Sequence, residues 1–237
     1  MKKSFFYLVC VLMIGFSSCE EVTDNISYYR DVPAIVGISY GTFQPVILTS
    51  FGLFNAPELQ SSIYTELEEG DAIWAYFYVN HDKPSKTGEF IAYDLLYSKL
   101  ATGRSLATTG GVSETGDFDI PIEKMWIADV IGNIMFFVFE QRLPRDQKMV
   151  YELTYDNDQT SEPVIYFRAK KDYPEGKESV ENFHYAFSFN MNSFFTKYKN
   201  SDGVVKFKIK YKTGVDSEGN EKYSNYNNGE LVEVKVQ

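Results

Sequence analysis

Apolar and polar residues alternate with a period of two along much of the chain, which is the pattern of β-strands with two different faces. In residues 72–80 one set of alternate positions is Ile73, Ala75, Phe77 and Val79, and the other is Trp74, Tyr76 and Tyr78. Similar alternation recurs in residues 183–189, 205–211 and 232–236. No stretch of ten or more residues has amphipathic helical spacing, and residues 191–199 come nearest to it. The pattern predicts an all-β fold with at most one short helix.

Turn-forming residues separate the strands of the second half. Residues 202–203, 218–220 and 228–229 contain Gly beside Asp, Glu or Asn, and Gly, Asn and Asp tolerate a positive φ. Between the first two of these turns, Lys206, Lys208 and Lys210 occupy alternate positions, so we expect them to face water. These features predict antiparallel hairpins, with a last strand at residues 232–236.

The middle of the chain has the composition of a linker. Residues 101–119 are rich in Gly, Ser and Thr, and they separate a first group of strands near residues 34–100 from a second group near 120–237. Two small antiparallel β domains therefore fit the pattern better than one.

The N-terminus has the features of an export signal. Lys2 and Lys3 precede an apolar run over residues 5–16, which has the length of a signal sequence and is too short to span a membrane. Residues 16–19, Phe-Ser-Ser-Cys, resemble the lipobox of bacterial lipoproteins. We therefore expect residues 1–18 to be removed and Cys19 to be acylated, which would anchor the protein in the outer membrane. The alternative is ordinary secretion with a free cysteine.

Residues 19–33 then form an acidic tether that begins with Glu20, Glu21 and Asp24. Acidic residues beside an acylated cysteine resemble the surface-export signal of some Gram-negative gut bacteria. They also suit a plain solvated tether. The sequence leaves both surface-exposed and periplasm-facing positions open.

Composition excludes some classes of partner. The formal charge of the whole chain is -10, and loss of two signal-peptide lysines makes the mature chain still more acidic. Such a surface repels phosphate backbones, so no nucleic acid is expected as a partner. Cys10 leaves with the signal and Cys19 is acylated, so we expect no disulfide, no redox pair and no thiol-bound metal. No cofactor is predicted either.

One short segment carries a family resemblance. Residues 122–127, Ile-Glu-Lys-Met-Trp-Ile, are followed by Asn133 and the apolar run 134–139, and with the lipobox they resemble the NigD-like family of bacterial lipoproteins. The resemblance implies an OB-like, partly open barrel at residues 34–118 and a β-sandwich at residues 119–237. It also implies a link to bacteriocin loci, and it implies no established activity.

A hydrolase is the least favoured function. Residues 37–41 fit the G-x-S-x-G pattern of a nucleophile elbow around Ser39, but a turn and a second strand are predicted next where the elbow requires a helix. The two histidines of the chain are His81, in a predicted turn, and His184, on the polar face of a predicted strand. We therefore predict no catalytic residues.

Clusters of acidic residues offer weak candidates for other chemistry. Residues 156–158 and 216–220 group oxygen ligands without the spacing of a calcium loop, so turns are favoured and no metal is predicted. Scattered carboxylates could in principle supply the acid pair of a glycosidase; these are Asp94, Asp117, Asp119, Glu123 and Asp129.

The aromatic row Trp74, Tyr76 and Tyr78 is the candidate ligand platform. OB folds bind oligosaccharides on such a strand face. The alternative is that the row is buried against the second domain or a neighbouring strand, because aromatic side chains are mostly buried.

Two classes of function remain after these considerations. The first is a non-enzymatic, lipid-anchored binding or accessory module, whose partner is a glycan or another protein. The second, suggested only by the family resemblance, is a protein of bacteriocin-related antagonism or immunity.

Overall fold

A computed structural model of the chain describes residues 25–63, 65–84, 89–108, 120–144, 149–159, 162–171 and 180–236. The described strands are β1 (Ile26–Ile38), β2 (Pro45–Thr49), β3 (Gly52–Asn55), β4 (Ala72–Asn80), β5 (Phe90–Ile91), β6 (Tyr93–Lys99), β7 (Thr102–Thr108), β8 (Lys124–Ile131), β9 (Ile134–Pro144), β10 (Met149–Asp156), β11 (Val164–Lys171), β12 (Val180–Asn190), β13 (Val204–Val215), β14 (Glu221–Asn225) and β15 (Val232–Lys235). The predicted short helix is α1 (Asn192–Tyr198). The all-β prediction is confirmed.

The strands form two sheets. The first has the order β5-β3-β2-β1-β4-β6 and curls as a half-barrel. The second has the order β14-β13-β11-β10-β7-β12-β9-β8, with β15 paired to β13, and it curls into a nearly closed barrel. Strands on opposite sides of the second core therefore belong to the same sheet.

Hairpin signals predicted only part of this topology. The β13–β14 hairpin and the last strand lie where they were expected. However, the pairs β3–β5, β7–β10, β7–β12 and β11–β13 are parallel, so the prediction of purely antiparallel sheets is wrong. Turn residues report on strands that are consecutive in the chain, whereas these pairs join strands that are distant in sequence.

Strand β7 lies inside the segment whose composition suggested a linker. Thr102–Thr108 pairs with both β10 and β12 in the second sheet, while residues 109–119 lie outside the described residues. The division into domains at residues 118 and 119 stays a prediction.

Each sheet encloses its own core. In the first, the apolar face of β4 is buried together with residues of β1 and of the 3-10 helix Pro57–Ser61. The second core is rich in phenylalanine and includes Phe137, Phe167 and Phe189, whose rings contact one another. The predicted solvent face of β13 is confirmed at Lys206, which is exposed and pairs with Glu233 at 2.8 Å.

A buried ionic cluster on the second sheet was not predicted from the sequence. The Arg168 guanidinium is fully buried and donates a hydrogen bond to Glu152, and it lies 3.8 Å from Glu221. Lys212 Nζ donates to Glu221 at 2.7 Å. Burial raises the pKa of Glu221, but the hydrogen bonds from Lys212 and Tyr223 outweigh it, and the pKa falls below its usual value.

No helix in the described part of the chain has the length and apolar character that would let it span a bilayer. Cys19 and the first part of the acidic tether lie outside the described residues.

Candidate ligand-binding cleft

The aromatic row of β4 lies on the outer face of the first sheet. Trp74, Tyr76 and Tyr78 are each partly exposed, whereas the alternate residues of the same strand, such as Phe77 and Val79, are completely buried in the core. The two faces of β4 therefore have the different surroundings that the alternation predicts.

Aromatic residues from neighbouring strands extend this row. Tyr28 of β1 and Tyr93 of β6 lie opposite Tyr78, with ring centroids 6.0 and 5.3 Å from its ring. Loss of solvent contact, followed by the nearby Asp94 carboxylate, raises the pKa of Tyr78. Arg30 lies over the Tyr76 ring at 5.8 Å. The outer face thus presents a tyrosine cluster at one end of β4.

Two β-bulges shape this face. Asp31 and Asp94 have positive φ values of 52° and 50°, and the strand registers shift beside them. Aspartate tolerates this conformation better than most residues with a side chain. The Asp31 bulge places its carboxylate 3.3 Å from Trp74 Nε1, which donates a hydrogen bond to it. Glu58 accepts hydrogen bonds from the backbone amides of the Asp94 bulge, that of Asp94 at 2.9 Å and that of Leu95 at 2.8 Å.

At the other end of β4, a cleft of about 730 Å³ opens between the two sheets. Its walls contain both tryptophans of the chain, Trp74 from the first sheet and Trp126 from the second. Trp126 is 37% exposed, a high value for so large an aromatic side chain. The remaining lining residues are Asp31, Pro33, Ser98, Leu100, Ala128, Val138, His184, Tyr185 and Ala186.

A polar row of three side chains, His184, Glu140 and Lys124, crosses three strands beside Trp126. His184 Nε2 lies 2.9 Å from Glu140 Oε1, and Lys124 Nζ lies 3.4 Å from Glu140 Oε2. The hydrogen bond that Glu140 shares with His184 is the largest cause of its lowered pKa; burial opposes this shift, and the hydrogen bond from Lys124 adds to it. The His184 ring meets the edge of the Trp126 ring at 5.9 Å between centroids. Glu140 thereby orients the histidine at the cleft wall.

A small apolar cluster joins the sheets next to the cleft. The buried members of this cluster come from both sheets and their connections, and they are Ala72, Leu100, Ile131, Ile134 and Phe136. Trp74 packs against the cluster. Burial of this cluster fixes the two tryptophan-bearing walls relative to each other. The cleft is therefore present before any ligand arrives.

The structure places Ser39 in the turn that joins β1 to β2. Its backbone amide donates to Gln44 O at 2.9 Å, and no helix follows, as the sequence indicated. His81 contacts Ser27 Oγ at 2.8 Å through Nε2, near the start of β1. The local geometry required for a nucleophile elbow is absent from this turn.

The acidic candidates are held by their own loops. The Asp216 carboxylate accepts hydrogen bonds from the side chain and the backbone amide of Asn220 and from the backbone amide of Glu218, and these bonds, that of the Asn220 side chain first, lower its pKa. Asp156 accepts in the same way from the Asp158 amide at 2.9 Å. Among the described residues no three His, Cys, Asp or Glu side chains are grouped as metal ligands.

The glycosidase candidates lie on different elements. Asp94 is on β6 in the first sheet, whereas Glu123 precedes β8 and Asp129 lies on β8 in the second. Asp117 and Asp119 lie outside the described residues.

The sequence predicts one wall of the cleft, the aromatic row of β4, and gives no sign of the other. Trp126 lies in the segment that carries the family resemblance and His184 on a polar strand face, and no sequence pattern connects the two. Only the pairing of β8, β9 and β12 brings them together. Asp31 gave no signal at all, because a bulge cannot be read from the alternation of residues in β1.

Solved structures with a similar fold come from Parabacteroides and Bacteroides. An uncharacterised protein from Parabacteroides merdae has a TM-score of 0.71 and 17% identity, covering 87% of this chain and 98% of its own. A candidate lipoprotein from Bacteroides fragilis has a TM-score of 0.53 and 13% identity, covering 90% and 98%. A NigD-like immunity protein from Bacteroides caccae is also among them, with a TM-score of 0.49 and 11% identity, covering 89% and 97%.

The likenesses to the Parabacteroides merdae and Bacteroides fragilis proteins establish the fold. The resemblance drawn from the sequence points to the same group of bacterial folds. No family model matches the chain, and no curated protein matches it.

Proposed function

We propose that this protein is a non-enzymatic binding module of the bacterial envelope, anchored by lipid on Cys19, which holds its ligand in the cleft between the two sheets. The observation that carries the proposal is the convergence of both tryptophans on that one cleft. Concave sites lined by aromatic groups with a few oriented polar side chains are the usual form of ligand sites.

The lipid anchor is supported by the order of residues at the N-terminus. A basic start, an apolar run of signal length and Cys19 directly after two serines are the features that export and acylation require. More than one acyl chain is needed for stable anchoring. We expect intact mass measurement of membrane-purified protein to show acylated Cys19 as the first residue. Recovery of the protein with an unmodified cysteine would contradict this.

Binding in the cleft can be followed without knowing the ligand. Because the chain has only two tryptophans and both line the cleft, its tryptophan fluorescence reports on this site alone. The variant Trp74→Phe keeps only the fluorescence of Trp126, and the variant Trp126→Phe keeps only that of Trp74. Pools of neutral oligosaccharides, short peptides and small aromatic compounds are screened against both variants.

We expect one pool to change the fluorescence of both single-tryptophan variants and to protect them from quenching by acrylamide. The same pool must leave the tryptophan fluorescence of the unfolded protein unchanged. If no pool alters either signal, the proposed function is wrong.

A second candidate function is supported by a different surface. Tyr40 and Phe43, in the β1–β2 turn, are 86% and 77% exposed, and Leu48 and Leu53 lie exposed beside each other on β2 and β3. Contiguous exposed apolar residues mark protein interaction sites. This turn surface suits the contact that an immunity protein would make with a toxin encoded nearby.

Two sets of variants distinguish the two candidate functions. Toxin binding at the turn surface would be lost in the double variant Tyr40→Ser/Phe43→Ser and kept in Trp126→Ala. Toxin binding that is lost in Trp126→Ala and kept in the double variant would place the contact in the cleft instead.

A further inference from the structure

The chemistry of the cleft identifies a class of ligand, if the proposed function holds. We infer that the cleft and the aromatic row beside it bind a neutral oligosaccharide. The inference stands on the exposed aromatic rings, the oriented polar groups between them, the balance of charge and the length of the aromatic track.

The aromatic rings match the apolar faces of sugar rings. The face of an aromatic ring is electron-rich, so it attracts the weakly positive C–H hydrogens on one side of a pyranose ring. Trp74 and Trp126 present such rings from opposite walls. The neighbours of Trp126 on the second sheet that also line the cleft have short side chains, namely Ala128, Val138 and Ala186, which leaves room for a ring to enter.

The polar groups of the cleft match hydroxyl groups. Asp31 offers carboxylate oxygens as acceptors, Ser98 offers a hydroxyl that donates and accepts, and His184 offers a ring nitrogen. Two of these are held in place, Asp31 by Trp74 Nε1 at 3.3 Å and His184 by Glu140 at 2.9 Å. Sugar hydroxyls both donate and accept hydrogen bonds, so they can satisfy all three groups at once.

The charges of the cleft disfavour an acidic ligand. Lys124, the one lysine of the polar row, already pairs with Glu140, while Asp31 is a lining residue. The formal charge of -10 on the whole chain adds a general repulsion of anions. A neutral ligand avoids this repulsion and leaves the existing ion pair intact.

The aromatic row indicates a ligand longer than one sugar. Alternate residues of a strand lie about 6.6 Å apart, so the row from Trp74 to Tyr78 adds roughly 13 Å to the cleft. At its far end the rings of Tyr78 and Tyr93 stack at 20°. We therefore expect affinity to rise with the length of the oligosaccharide until this track is filled.

The experiment is a glycan array followed by calorimetry on the folded chain without its signal peptide. The array carries neutral and acidic glycans from plant, fungal and animal mucin sources. For the best neutral glycan, the disaccharide, tetrasaccharide and hexasaccharide are titrated into the wild type and into Trp74→Ala, Trp126→Ala and Tyr78→Ala. Tyr40→Ser is the matched control, because it removes an exposed aromatic residue of the β1–β2 turn that is not among the residues lining the cleft.

We expect binding of neutral glycans only, a Kd that falls from disaccharide to hexasaccharide, and a loss of about tenfold or more for each tryptophan variant. Tyr78→Ala is expected to weaken the hexasaccharide and to leave the disaccharide unchanged, which a general loss of folding could not produce. The Tyr40→Ser control is expected to bind as the wild type does.

Two results would overturn the inference in different ways. If peptides or small aromatic compounds change the tryptophan fluorescence and no neutral glycan binds, the ligand class is wrong and the binding function stands. If no compound of any class alters the tryptophan signals, both the ligand class and the proposed function fail.

Discussion

Gly103 on β7 is a position where one added methyl group has a calculable cost. β7 lies between β10 and β12 in the second sheet, and a Cβ at position 103 would lie 2.7 and 2.9 Å from two ring atoms of Phe189 and 3.3 Å from one of Phe187. Carbon atoms normally approach to about 3.5–4.0 Å, so the Phe189 ring would have to move. That ring is completely buried against Phe137 and Phe167, and it cannot move freely.

The expected effect of Gly103→Ala follows from two opposing contributions. Overpacking of a tight core costs roughly 1–3 kcal/mol. Replacing glycine by alanine within a strand returns about 0.5–1 kcal/mol. We therefore expect Gly103→Ala to lower the free energy of unfolding by about 1 kcal/mol and at most by about 2.5 kcal/mol. A loss of about 1 kcal/mol corresponds to a fall in Tm of roughly 2–4 °C for a chain of this size.

Urea unfolding followed by circular dichroism measures this free energy. Gly41→Ala is the matched control, because a Cβ at Gly41 in the β1–β2 turn meets no atom within 4 Å. We expect Gly41→Ala to change stability by less than about 0.5 kcal/mol. In the Gly103→Ala background, Phe189→Leu is expected to cost less than in the wild type, because it relieves the overlap. Equal stabilities for the two alanine variants, or no coupling to Phe189, would refute the reasoning.

Three further variants test other parts of the account. Glu140→Gln removes a carboxylate whose pKa is held below the ordinary 4.5 by His184. A carboxylate with a lowered pKa in the folded protein stabilises the fold at neutral pH, and it loses this effect as the pH falls through that pKa. The wild type should therefore lose more stability than Glu140→Gln between about pH 5 and pH 3 in urea titrations, and equal losses would contradict this. Phe136→Ala is expected to lower the free energy of unfolding by about 3–5 kcal/mol, because it leaves a cavity in the apolar cluster that joins the two sheets. A loss of less than about 1 kcal/mol in the same titrations would show that this cluster does not hold the walls of the cleft in place. Glu58→Ala should cost about 0.5–1.5 kcal/mol, because two backbone amides of the β6 bulge lose their acceptor and water can replace it only at the exposed one. Hydrogen exchange near Tyr93 should rise as well, and unchanged exchange there would speak against a positioning role for Glu58.

The period-two pattern was sufficient to predict the fold class and the inward face of β4. Phe77 and Val79 are buried and Trp74 is not, because alternate residues of a strand must point to opposite faces. The pattern could not predict which strands pair when they are far apart in the chain. The parallel neighbours of β7 depend on how the whole sheet curls, and no local turn encodes that.

The site was only half predictable for a similar reason. The row on β4 is visible in nine consecutive residues. The opposite wall needs Trp126 and His184, which lie on strands separated by β9 in the sheet and by more than fifty residues in the chain. Asp31 depends on a bulge with φ of 52°, which many sequences with the same alternation would not form.

The central claim is that one ligand contacts both walls of the cleft at the same time. The most direct measurement is a heteronuclear NMR titration of the two indole N–H signals, assigned with Trp74→Phe and Trp126→Phe, against the hexasaccharide that binds best on the array. We predict that both signals shift along the same saturation curve, with a single Kd. Signals that stay in place, or a shift of one indole while the other is unaffected at saturation, would contradict the account.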